Sequence, residues 1–123
     1  MQNKTVQLGD LEIEVGNSST VRLVFRGKSN HREPDAVLRP LFHEVIKKAS
    51  TSGTAVELHF EKLEFFNSST ITSVIHFIKD LRSRQIATQV TYDATHKWQK
   101  VFFDALGMLQ KADGFLQITP VSS

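Results

Sequence analysis

The stretch TAVELHFEKLEFFNSSTITSVIHFIKDLRSRQIATQVTY, residues 54–92, carries the architecture of the whole chain. Its first part alternates. Thr54, Val56, Leu58 and Phe60 fall on one side, and Ala55, Glu57, His59 and Glu61 fall on the other. That two-residue period is the signature of a strand with one wet face. After KLEFF and the tetrapeptide Asn67-Ser68-Ser69-Thr70 the period changes. Ile71, Val74, Ile75, Ile78 and Leu81 recur at three and four, as on an amphipathic helix running from Thr70 to about Arg84. Ile86, Thr88, Val90 and Tyr92 then alternate again. A strand, a helix and a second strand in that order form a crossover unit, so the two strands run parallel.

Upstream, Leu11, Ile13 and Val15 alternate with Glu12 and Glu14, and Val21, Leu23 and Phe25 alternate with Arg22 and Arg26. Between them lies a first copy of the tetrapeptide, Asn17-Ser18-Ser19-Thr20. Gly16 to Thr20 therefore reads as the loop of a β-hairpin. Leu38, Leu41, Phe42, Val45, Ile46 and Ala49 predict a helix to about Ser50. Pro40 requires that helix to begin within a turn before it, and Gly53 is placed to cap its end. Downstream, Trp98, Val101, Phe102, Ala105 and Leu106 form a third helical stripe that stops at Gly107. It assigns Trp98 and Phe102 to the core and leaves Phe103 as a candidate contact residue. Phe115 to Thr119 reads as a short last strand.

A doubly wound sheet buries its central strands on both faces and shows them as continuous apolar runs, whereas every strand here alternates. The expectation is an α/β fold: an N-terminal β-hairpin and a mixed, largely parallel sheet with helices packed on one face. It forms a single domain over residues 1–123.

Composition narrows the chemistry. With 123 residues, 40% of them hydrophobic and nine phenylalanines, the chain can build one real core. Fifteen basic and 13 acidic residues leave a net charge of +2, too small to point to nucleic acid or membrane as partner. The absence of cysteine excludes disulfides, thiolate metal sites and a cysteine nucleophile. The opening MQNKTVQLGD has no apolar h-region, and no run approaches the ~18 apolar residues of a membrane span, so a cytoplasmic protein is expected. The five histidines show no metal-binding spacing. Glu57, His59 and Glu61 share a strand face, which a solvated surface explains as well as a metal does. No nucleophile elbow and no glycine-rich phosphate loop is present, so neither an enzyme nor a cofactor is expected.

The second tetrapeptide stands where a strand ends and a helix begins. The first N–H groups of that helix have no intrahelical acceptor, and Asn67, Ser68 or Ser69 can cap them, typically for about 1 kcal/mol. One cap uses one side chain, and four polar residues in succession leave hydroxyls at the rim for a partner or a kinase.

The segment LEFFNSSTITSVIHFIKDLRSRQIATQVTYDATHKWQKVFFDALGML resembles the core of a STAS domain, the fold of anti-sigma-factor antagonists. In that family an apolar strand end is followed by Asp-Ser-Ser-Gly and then an apolar helix. Phe65-Phe66-Asn67-Ser68-Ser69 occupies the signature position, and Ala105-Leu106-Gly107-Met108-Leu109 matches the later helix end. Asn67 replaces the acidic residue, as in the branch that includes SiaC-type regulators, and Thr70 replaces the glycine. The resemblance implies phosphorylation of Ser68, with Ser69 as second choice, by a GHKL-type serine kinase or anti-sigma factor. It implies dephosphorylation by a PP2C-type phosphatase and, in the SiaC-like variant, a diguanylate cyclase downstream. Asn67, Ser68, Ser69, Thr70 and Ile71 would form the partner-binding surface of a partner-switching regulator. A non-switching STAS-fold module that binds a small ligand or scaffolds an assembly is the alternative.

Overall fold

A computed structural model describes residues 4–110 and 114–121. Six strands form one sheet in sequence order: β1 (Lys4–Leu8), β2 (Leu11–Asn17), β3 (Val21–Ser29), β4 (Val56–Phe66), β5 (Thr88–Asp93) and β6 (Leu116–Val121). The first three are antiparallel neighbours, and β3 through β6 are parallel. Helices α1 (Asp35–Ser52), α2 (Ser68–Ser83) and α3 (Lys97–Leu106) fill the three crossovers between parallel strands, α3 running on into a 3-10 turn at Gly107–Leu109. Each crossover steps to the next strand in the same direction. With one hand of connection, that puts every helix on one face of the sheet.

The burial pattern agrees. Leu11, Ile13, Val15, Leu23, Phe25, Leu58, Phe60, Val90 and Leu116 point into one core with the helices, while Glu12, Glu14, Arg22, Glu57, His59 and Gln89 lie on the open face. The mixed α/β sheet with one-sided helices is thus as the alternation predicts.

Several local features differ. The hairpin is the second part of a three-stranded meander, because Lys4–Leu8 adds an edge strand through a two-residue turn at Gly9-Asp10. Its apolar signal is only Val6 and Leu8, too short to stand out in sequence. At the far end of β3, Gly27 has φ +84, and a Cβ there would meet the Asp10 carbonyl oxygen at 2.2 Å. The same oxygen accepts from Lys28 N at 3.0 Å, so only glycine allows the chain to close on that turn.

Helix α1 starts at Asp35, five residues before Pro40 and so more than one turn. Pro40 therefore removes a helical bond to the Ala36 carbonyl. Both residues are exposed, which leaves that carbonyl to water. Gly53 ends the helix in the left-handed conformation, φ 66, as expected.

Helix α3 is rotated relative to the stripe read from its apolar residues. Gln99, Phe103 and Leu106 are buried, Trp98 and Phe102 are half-buried, and Val101 is 66% exposed. Phe103 is a core residue, stacked on Tyr92 with ring centroids 4.9 Å apart and tilted against Phe60 at 5.2 Å. The reason is polar. β4 and β5 pair only from Val56 to His59, and past that point β4 runs on alone beside β3. Gln99 fills the fork: its Nε2 donates to the carbonyls of Phe60 and Leu63 at 2.9 and 2.8 Å, and its Oε1 accepts from Asp93 N at 2.8 Å. Three buried backbone groups take a partner from this one side chain, so glutamine, and not an apolar residue, faces inward. Gly107 is right-handed, φ −55, and continues into the 3-10 turn instead of forming a left-handed cap.

Candidate functional site

The C-terminal ends of β3, β4 and β5 and the N-terminal ends of α1, α2 and α3 share one rim, because each helix follows its strand through a short connection. β4 is the longest strand at 11 residues and carries the second tetrapeptide to that rim. Phe66, the last strand residue, is anchored inward against Phe60, Trp98 and Phe102. The next residue, Asn67, is extended at φ −85, ψ 167 and caps α2.

Each of the four residues has a distinct environment. Asn67 uses three groups: its N–H donates to Ser29 O at 2.9 Å, its Oδ1 accepts from Thr70 N at 2.9 Å, and its Nδ2 donates to His31 O at 2.8 Å. Thr70 is fully buried, and its hydroxyl is hydrogen-bonded to that of Ser29, also buried, on β3. A side chain thus fills the position a glycine would leave empty, and Thr70 acts by holding the helix start against the sheet. Between these fixed ends, Ser68 and Ser69 are exposed as the first two residues of α2. Ile71, one turn further, is half-buried against the core.

An aspartate at position 67 could supply the same cap to Thr70 N but not the donated bond to His31 O, since an ionised carboxylate has no proton to give. Asn67 therefore ties the rim loop after β3 to the start of α2. Nothing in the sequence alone pairs Asn67 with His31, 36 residues away.

The polar side chains of the strand face meet elsewhere. Glu57, His59 and Glu61 lie on the open face and bond to one another and to two threonines. His59 Nε2 donates to Glu57 Oε1 at 3.0 Å, and Thr91 Oγ1 stands 2.8 Å from His59 Nδ1 and donates to Glu61 Oε1 at 2.6 Å. Thr20 of the first tetrapeptide donates to Glu57 Oε2 at 3.0 Å. The Glu57 carboxyl is held below the usual carboxylate range, chiefly by the His59 bond, with Thr20 and the charge of Arg22 adding to it against a counter-effect of burial. Among the described residues, no group of three His, Asp or Glu side chains is arranged to hold a metal ion, and no helix is long and apolar enough to cross a membrane.

His76 is exposed, as its place opposite the apolar stripe implies. It borders a cleft of about 220 Å³ between α1 and α2, over the Phe42–Phe77 stack. No protein-family model and no curated protein matches the chain.

Proposed function

We propose that the protein is a single-domain, STAS-like regulator without enzymatic activity, controlled by serine phosphorylation at Ser68, with Ser69 as the second hydroxyl. One observation carries this reading. In a run of four polar residues, the outer two are consumed by the fold and the inner two are presented to solvent at the first turn of α2. The sheet order, with parallel β-α units following an antiparallel start and helices on one face, supports the STAS-like part of it.

A phosphate at Ser68 brings a charge of about −1.5 to −2, which the first turn of a helix accommodates. The fold survives phosphorylation, while a partner docked closely over Ser68 meets a dianion. Differential binding of only ~2.7 kcal/mol releases such a partner about a hundredfold. The partners that fit are a GHKL-type kinase or anti-sigma factor and a PP2C-type phosphatase, with a diguanylate cyclase as effector in the SiaC-like arrangement.

The test is to incubate the protein with serine kinases encoded beside it and map phosphate by mass spectrometry, then compare partner binding of wild type, Ser68→Ala and Ser68→Asp. Phosphate on Ser68 and a binding difference between Ala and Asp are expected. No phosphate on either serine, with equal binding of all three forms, refutes the switch.

A further inference from the structure

The side of α2 turned toward α3 is apolar but only half covered. Ile71, Ile75 and Arg82 lie on one stripe of α2, at helical spacings of four and seven. Arg82 Nε donates to Leu109 O at 3.2 Å, which identifies this stripe as the one facing the end of α3. At the other end, Phe66 packs against Trp98 and Phe102 with ring centroids 5.7 and 5.6 Å apart. Between these ties, Ile71, Ile75, Trp98, Phe102 and Leu109 rest on the core and keep part of their surface in water. Val101 on α3 and Met108 on the 3-10 turn after it, 66% and 86% exposed, extend this apolar sector outward. On its other side α2 is closed against α1 by the Phe42–Phe77 stack.

Lysines flank this half-covered apolar strip, Lys79 four residues after Ile75 and Lys97 four before Val101. Lys79 on α2 and Lys97 on α3 are exposed, and neither makes an ion pair among the described residues. Lys100 is neutralised by Asp104 within α3 at 2.8 Å. The carboxylate of α2, Asp80, lies on the opposite side, bordering the α1 cleft and paired with Arg84.

We infer that the α2–α3 cleft is a docking groove for an acidic amphipathic helix of a protein partner. Such a helix lays apolar side chains at i, i+4 and i+7 onto Ile71, Ile75 and Val101 and sets carboxylates against Lys79 and Lys97. Ser68, Thr72 and Lys79 follow one another at spacings of four and seven along the outer edge of this groove. The inference therefore names the partner chemistry of the proposed switch, and its regulation rests on that reading. A phosphate on Ser68 sets a dianion at the rim end of this edge and repels the carboxylates of the docked helix.

The experiment uses the full chain and two fluorescein-labelled synthetic peptides of about 18 residues, five helical turns. Both carry leucines on one stripe, with glutamate at the other positions in one peptide and lysine in the other. Anisotropy titration should show the glutamate peptide binding about tenfold more tightly or better. Amide shifts on binding should centre on Ile71, Ile75 and Val101. Val101→Glu and Lys79→Glu, both at exposed positions, should each weaken binding at least about fivefold with unchanged melting. Equal binding of the two peptides, indifference to both substitutions, or shifts centred elsewhere overturns the groove. So does a dimer in sedimentation that Val101→Glu dissolves, since the occupant is then a second copy. Phosphate found on Ser68 without peptide binding removes the groove and leaves the switch, and the reverse result removes the switch and leaves the groove.

Discussion

Two identical tetrapeptides take opposite parts in this molecule. In both, the serines are exposed and the threonine is engaged: Thr20 with Glu57 on the open face, Thr70 with Ser29 in the interior. The asparagines separate them. Asn17 is the last residue of β2, in the ladder opposite Val21, and the chain turns back at once, with Ser18 N donating to Thr20 O at 3.0 Å. Asn67 leaves the ladder and spends its amide on the first turn of a helix and on the loop after β3. The cause is the period of the residues downstream. Val21-Arg22-Leu23 can bury alternate residues only as a strand, while Ile71, Val74 and Ile78 can share a core only as a helix. A short polar motif acquires its role from the period of its neighbours.

The contrast between the copies is most vulnerable at Gln99, because the second copy reaches the rim only where β4 outruns β5. Gln99→Leu removes the three buried hydrogen bonds that Gln99 makes to Asp93 N and to the Phe60 and Leu63 carbonyls in the fork and should cost about 3 kcal/mol or more in urea unfolding.

Next come the paired substitutions within the motifs. Thr70→Val strands the buried Ser29 hydroxyl and should cost about 1–3 kcal/mol, whereas Thr20→Val at the partly exposed first copy should stay under about 1. The double change Ser29→Ala with Thr70→Val should recover part of the loss, since no polar group is then left alone. Asn67→Ala should cost about 1–2 kcal/mol through its cap, and Asn17→Ala no more than about 0.5. Equal losses in either pair would show that the two copies are structurally equivalent after all.

The smallest effect concerns pH. Glu57 has a folded pKa below its unfolded value, so the stability it contributes is present above the unfolded pKa and is lost as pH falls through the depressed one. Melting temperatures followed into acid should fall less steeply in His59→Gln, which removes the main cause. In Thr20→Val the flattening should be slighter. A Thr20→Val profile flatter than that of His59→Gln would make the first copy an electrostatic element and not only a turn.

Much of the fold is legible from spacing alone. The strand faces, the helix over 71–81, the cap at Gly53 and the one-sided packing follow from alternation and from apolar residues at three and four, because a buried face must repeat with its backbone period. Helix α3 departs from its apolar stripe for a related reason. Apolar spacing assumes that buried residues are apolar, and Gln99 is buried because it serves three backbone groups that belong to β4 and β5. β1 is silent in the sequence because two apolar side chains are too few to define a period.

Where β2 to β6 and the three helices run, which face of β2 to β5 and of α1 and α2 is wet, and that the second tetrapeptide opens a helix are written in the amino-acid sequence, since neighbours within a few positions set them. Which members of that tetrapeptide are consumed is settled by the tertiary structure alone. Asn67 is held by His31 and Ser29, and Thr70 by Ser29, all from a segment about 40 residues away, and what those bonds leave exposed is Ser68 and Ser69. Hydrogen-bond partners brought together by folding have no period in the sequence, and it is they that set apart the two hydroxyls offered to solvent.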